Sequence, residues 1–120
     1  MEIKTAIQSL SALAHRNRLE VFRWLVRHSP DGLPAGEIAE HFDMPNNTLS
    51  SHLAILTRAG LLRSDRRGRN IIYSVRFDGV QNLLKFLMED CCRAQPGRAN
   101  DALKLALGKP GADVLEGETQ

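Results

Sequence analysis

The sequence predicts a mainly α-helical fold carrying a single β-hairpin. Three observations point there. Apolar residues recur every three or four positions in five stretches of the 120-residue chain, which is the spacing of one buried helix face. Two short runs, GLLRSD and NIIYSV, flank RRGR, the pattern of two strands joined by a tight turn. Aromatic residues are only 5% of the chain, so the core must be built of Leu, Ile, Val and Ala, a composition that favours helices.

The elements follow in order. Ile3, Ile7, Leu10 and Ala14 form the seam of a first helix, with Ala6 and Leu13 beside it. The second helix, HRNRLEVFRWLVRH, sets Leu19, Phe22 and Val26 on one face, with Val21 and Leu25 adjoining, and SPDGLP stops it. AGEIAEHF is a short third helix with Ile38, Ala39 and Phe42 inward. A tight turn at DMP leads to Pro45, expected at the first position of a fourth helix, where its missing N–H costs nothing. That helix, PNNTLSSHLAILTRAG, is anchored by Leu49, Leu53, Ile55 and Leu56 and ended by Gly60. Gly68 supplies the positive φ of the hairpin turn. DGVQNLLKFLMEDCC is a fifth helix, with Asp78 as its N-cap and Val80, Leu83, Leu84, Leu87 and Met88 as its apolar stripe. After the break at RAQPGR, NDALKLALG reads as a short sixth helix. Residues 1–107 are expected to form one domain and 108–120 a disordered tail.

At 42% hydrophobic and 25% charged, the chain can bury a core, which excludes wholesale disorder. No run approaches the roughly 20 apolar residues of a membrane span. The start, MEIKTAIQSL, lacks the basic-then-apolar order of a signal peptide. A cytoplasmic protein is the expectation. The net charge is only +2, yet residues 61–76 hold Arg63, Arg66, Arg67, Arg69 and Arg76 against Asp65 alone. So concentrated a positive patch on a nearly neutral chain suggests a polyanion partner. No Ser-His-Asp or Cys-His arrangement stands out and no Gly-rich phosphate loop occurs, so catalysis is not expected.

A short helix, a turn and a polar-faced helix suggest a helix-turn-helix, and the basic hairpin that follows suggests its wing. Asn46, Asn47, Thr48, Ser50, Ser51 and His52 place short hydrogen-bonding groups on the N-terminal half of the fourth helix, where a recognition helix reads base edges. A merely solvated face is the plain alternative, but this face carries no Glu or Lys and reaches its first charge at Arg58. For His52, packing competes with DNA contact. Arg66, Arg67 and Arg69 at the hairpin tip suit phosphate or minor-groove contacts. His15, His28 and His41 lie at helix ends, where solvated or capping roles suffice. A winged protein-interaction module is the rival from another class, though it would need no arginine cluster.

LSALAHRNRLEVFRWL followed by GEIAEHFDMPNNTLSSHLAILTRAGLLRSDRRGRNIIYSV resembles the ArsR/SmtB family of small metal-responsive repressors, over about Leu10 to Cys92. The resemblance implies a homodimeric winged helix-turn-helix that leaves double-stranded operator DNA when an effector binds. The first and fifth helices, with or without the sixth, would form the dimer interface. The chain departs from the family pattern in places. Pro45 and Asn46 stand where Ser-Gln is frequent, the third helix has no cysteine, and no His follows Asp78.

Cys91 and Cys92 are the only cysteines. Neighbouring Cα atoms lie about 3.8 Å apart, whereas ordinary disulfides need roughly 4.4–6.8 Å, so a structural bond between them is disfavoured. By spacing they fit the apolar stripes of the fifth helix as small hydrophobes. The family resemblance implies instead a thiol site for trivalent arsenic or antimony, since some arsenite-responsive members carry a Cys-Cys pair there with a third cysteine beyond. This chain has no third. Two thiolates with an exogenous ligand, a site shared across the dimer, or an organoarsenical remain open, as does redox or persulfide sensing.

Overall fold

The computed structural model describes residues 1–94, and side chains through Glu89. The elements are α1 (Ile3–Leu13), α2 (Arg16–Arg27), β1 (Leu33–Pro34), α3 (Ala35–His41), α4 (Asn46–Arg58), β2 (Leu62–Arg67), β3 (Asn70–Val75) and α5 (Phe77–Ala94). Met1–Leu83 form one compact unit and Leu84–Gln120 a second, with α5 running from the first into the second. The expected sixth helix, the 1–107 domain limit and the tail from 108 lie outside the described residues. No described helix is long and apolar enough to cross a membrane.

The core of the first unit joins Val21 and Leu25 of α2, Ile38 and Ala39 of α3, and Leu49, Leu53 and Leu56 of α4 to Leu61, Leu62 and Val75 at the base of the hairpin. In α4 the expected leucines are the buried ones, while Ile55 is half-buried against the cluster. The first two helices differ from the sequence expectation. The face of α1 that enters the protein is Ala6, Ser9 and Ala12, and the large residues Ile3, Ile7 and Leu10 are 65%, 59% and 42% exposed. In α2, Leu19 and Val26 are likewise exposed, and Val21 and Leu25 bury. Small side chains allow close helix approach, so the buried face is the smooth one. Ser9 shows how close: its Oγ donates to the Ala59 carbonyl at 3.1 Å, fully buried, tying α1 to the end of α4.

The C-terminal ends of α3 and α4 close in the same way. After α3, the Asp43 N–H donates to Glu40 and the Met44 N–H to Ala39; after α4, the Gly60 N–H donates to Thr57 and the Leu61 N–H to Leu56. Each is a Schellman motif, in which two otherwise orphaned carbonyls are satisfied and one residue takes a left-handed conformation. Gly60 does so at φ 82°, but the first motif uses Asp43 at φ 51°. Pro45 is the extended N-cap of α4, one position before its expected place, and α4 begins at Asn46. Asp78 likewise lies inside the first turn of α5, not at its cap; there its carboxylate faces the positive end of the helix dipole and stands 3.5 Å from Arg76 Nε.

The sheet order is β1-β3-β2, antiparallel throughout. β1 was not legible in the sequence: it is two residues long, pairing Leu33 with Tyr73 and Pro34 with Ile72. Pro34 is tolerated because the strand lies at an edge. In the wing, Arg67 pairs with Asn70 across a two-residue turn, with Gly68 at φ 65°. At the foot of the wing, a Cβ on Gly79 would run into the carbonyl of Gly60, so the start of α5 abuts the end of α4 backbone to backbone.

Candidate nucleic-acid interface

The α4 sequence sorts its residues by periodicity. Positions 49, 52, 53 and 56 point inward and bury. What remains on the N-terminal half is Asn46, Asn47, Thr48, Ser50 and Ser51, all exposed, and Arg58 is exposed in the last turn. Asn47 Oδ1 accepts from the Thr48 N–H at 2.9 Å, which leaves its amide N–H₂ free to donate outward. This face therefore offers donors and acceptors without competing side-chain charge.

His52 is the exception among the six candidate residues of this helix. It is 9% exposed and packs on His15, with ring centroids 4.8 Å apart. Its Nδ1 has no hydrogen-bond partner among the described residues. Burial, then the nearby His15 and Arg18, holds its pKa below the ordinary histidine value. The i, i+3, i+4, i+7 spacing of Leu49, His52, Leu53 and Leu56 was the sequence signal for this inward placement.

The wing tip carries Arg66, Arg67 and Arg69, all exposed. Among the described residues one of the three is committed: Arg67 Nε lies 3.3 Å from Asp65 Oδ2. Arg66 and Arg69, and Arg63 nearer the base, make no ion pair among the described residues. Two uncommitted cations at the tip of a β-hairpin, close in the chain to a polar helix face, can neutralise phosphates while the helix contacts base edges.

The α2 N-terminus meets α4 at His52. His15 is its N-cap, with Nδ1 accepting from the Asn17 N–H at 3.2 Å. Arg18 turns the other way, donating from Nε to the Ala12 carbonyl at 2.6 Å and from Nη2 toward that of Ser11, which closes the end of α1. Elsewhere, His28 caps the C-terminus of α2 and His41 stacks on Trp24 at 3.8 Å. Among the described residues no group of three or more His, Cys, Asp or Glu could hold a metal ion. Cys91 and Cys92 fall on the helical backbone of α5, but their side chains lie outside the described residues.

Comparison with known proteins agrees with this architecture. Residues 13–65 match the model of a helix-turn-helix domain family. The HTH-type transcriptional regulator YgaV of Escherichia coli is 30% identical over 83 residues, covering 69% of this chain and 82% of that protein. The transcriptional activator HlyU of Vibrio cholerae is 27% identical over 89 residues, 74% of this chain and 80% of that one. The HlyU structure superposes with a TM-score of 0.60 at 26% identity, over 77% of this chain and 99% of that chain. A homodimeric winged helix-turn-helix DNA-binding domain from Mycobacterium bovis, described as a possible ArsR-family transcriptional regulator, gives a TM-score of 0.61 at 21% identity, over 75% and 82% of the two chains, and so speaks for the fold.

Proposed function

We propose that this chain, a member of the helix-turn-helix transcriptional regulators with the fold of ArsR-type structural neighbours, is a homodimeric repressor that binds operator DNA and is released by a thiophilic effector, trivalent arsenic or antimony, at Cys91 and Cys92. The observation that carries the DNA half is the exposed Asn46, Asn47, Thr48, Ser50 and Ser51 face of α4 together with the unpaired Arg66 and Arg69 of the wing. Helix and wing form one sequence-reading and phosphate-gripping surface, acting by binding and not by catalysis, in the cytoplasm. Two such surfaces, related by a dimer axis, would meet successive major grooves about 34 Å apart on a palindromic site.

The dimer is supported by α1. Ile3, Ile7 and Leu10 form an exposed apolar stripe on the face opposite Ser9, and a second copy is the partner that would cover it. The effector rests on chemistry. Soft thiolates suit trivalent arsenic, and adjacent residues on a helix point about 100° apart. Drawing two neighbouring sulfurs onto one atom would therefore unwind the end of α5. A coupling of about 1–3 kcal/mol between that event and DNA would weaken operator binding by roughly 5–150-fold.

The test is fluorescence anisotropy of the reduced protein on DNA from upstream of its own gene, with arsenite, phenylarsine oxide and then peroxide added at fixed salt. Release by the arsenicals, reversed by excess dithiol and lost in Cys91→Ser and Cys92→Ser, is the expected result. Release by peroxide alone would assign the pair to redox sensing. DNA binding indifferent to all three would leave a repressor without this effector, and no salt-dependent DNA binding would leave a protein-interaction module.

A further inference from the structure

We propose that the groove at the foot of the wing, where the hairpin meets the start of α5, binds a small organic carboxylate with a flat apolar body. The proposal stands apart from the DNA-binding reading. It uses neither the exposed face of α4 nor the wing tip, and its test reads ligand binding directly.

The strand pairing brings the charges together. Arg63 of β2 lies opposite Ser74 of β3, and residues opposite each other in a ladder share a face. The Arg76 N–H donates to the Leu61 carbonyl at 2.9 Å, which carries the pairing one step beyond Val75. Arg63, Ser74 and Arg76 line one groove of about 660 Å³, which Pro30 and Phe77 also line. Small-molecule sites have volumes of roughly 300–1,000 Å³.

The groove has one positive charge unmatched. Arg76 Nε stands 3.5 Å from Asp78 Oδ1, and both residues line the groove. Arg63 makes no ion pair among the described residues. Two guanidinium groups against one carboxylate complement a monoanion. A carboxylate carries a single negative charge at pH 7, whereas a phosphate monoester carries about 1.5 to 2. The guanidinium of Arg63 presents its N–H donors as a planar fork that matches two carboxylate oxygens. The Ser74 hydroxyl offers a further donor beside it.

The second observation is Phe77. Its ring is 52% exposed at the first position of an 18-residue helix, and it lines the same groove as the unpaired arginine. A large ring in water beside an uncommitted cation calls for a ligand that is apolar at one end and anionic at the other. The flat body of such a ligand would rest on Phe77 and Pro30, and its carboxylate on Arg63. A DNA phosphodiester is also a monoanion, but it brings no apolar body to Phe77. Bound here, the ligand would join β2 and β3 to the start of α5, whose Gly79 abuts the end of α4.

The experiment is an amide NMR titration of the full-length native protein with benzoate, acetate, inorganic phosphate and duplex upstream DNA, each in turn. Benzoate should shift the Arg63, Ser74 and Phe77 amides saturably. Acetate and phosphate should bind at least about tenfold more weakly, since neither covers the ring. Arg63→Gln and Phe77→Ala should each weaken benzoate binding by about tenfold, through loss of the charge-assisted hydrogen bonds and of the aromatic wall respectively. Both residues are exposed, so the melts of both variants should match native. Arg23→Gln, which removes the same charge from an exposed position elsewhere, should bind benzoate as native does. Acetate binding as tightly as benzoate, or phosphate binding more tightly, would overturn the ligand class. No benzoate shift at these amides, or one unaltered in both groove variants, would overturn the site. Shifts there from DNA and none from benzoate would overturn it too, and return the groove to the DNA surface.

Discussion

Replacing Ser9 by alanine removes one atom and should be felt across the molecule. Ser9 is 1% exposed, and its Oγ gives Ala59 a hydrogen bond at 3.1 Å across 50 residues of sequence. Ala59 is the C-cap of α4, so its carbonyl lies beyond the helical ladder. Alanine at position 9 would leave that buried oxygen without its side-chain donor. A lost hydrogen bond costs about 0.5–1.5 kcal/mol and a stranded polar atom about 1–3, so a destabilisation of about 1.5–2 kcal/mol is expected. For a domain of this size each kcal/mol moves the midpoint by roughly 4–8 °C, so the melt should fall by about 6–16 °C. Circular dichroism at fixed protein concentration reads this directly, with exposed Ser11→Ala as the control, expected within about 0.5 kcal/mol of native. Amide exchange should quicken first at Gly60 and Leu61, whose N–H groups close the end of α4. A Ser9→Ala protein as stable as native would refute the reasoning, since the α1–α4 tie would then be carried by packing alone.

Four further outcomes follow from the same geometry. Asp43→Gly should raise stability by about 1 kcal/mol in a thermal melt, because φ 51° strains a residue that carries a side chain and does not strain glycine. Gly79→Ala, ordinarily favourable inside a helix by about 1 kcal/mol, should instead destabilise by at least about 2 kcal/mol in urea unfolding, since its Cβ meets the Gly60 carbonyl. Arg66→Gln and Arg69→Gln should each flatten the log–log salt dependence of DNA binding by about 0.9 for every phosphate no longer neutralised, and Arg67→Gln by less, because Asp65 already half-occupies it. Stability should decline as pH falls below about 6.5. With the His52 pKa lowered by burial, His15 and Arg18, the unfolded chain binds the proton first, and the loss continues until the folded pKa is passed; His52→Gln should remove that part of the pH dependence in denaturant titrations.

The sequence was most transparent where side-chain type and period agree. Leu49, Leu53 and Leu56 on α4, the polar set between them, and the Gly68 turn were all legible for that reason. On α1, Ile3, Ile7 and Leu10 have the same helical spacing as Ala6, Ser9 and Ala12, offset around the helix, so spacing alone did not say which set enters the protomer. Size argued for the first set, but close approach to α4 selects the second. β1 could not be seen because two residues carry no period, and its existence depends on Tyr73 and Ile72, far along the chain. The chemistry of His52 suggests a DNA contact, although its neighbours in the stripe are all leucines. The capping role expected for a histidine at a helix end is what His15 and His28 take, at the two ends of α2.

The outward stripe of α1 also bears on dosage. Ile3, Ile7 and Leu10 leave a solitary protomer with apolar surface in water, and in the proposed dimer a second copy would relieve this only as protein accumulates. On a two-half-site operator, occupancy at low abundance would then climb as the square of the number of chains present. A small drop in synthesis would empty the operator disproportionately, and a small rise would fill it. Three side chains on the outside of one helix would thus give the gene a threshold in copy number, separate from any effector.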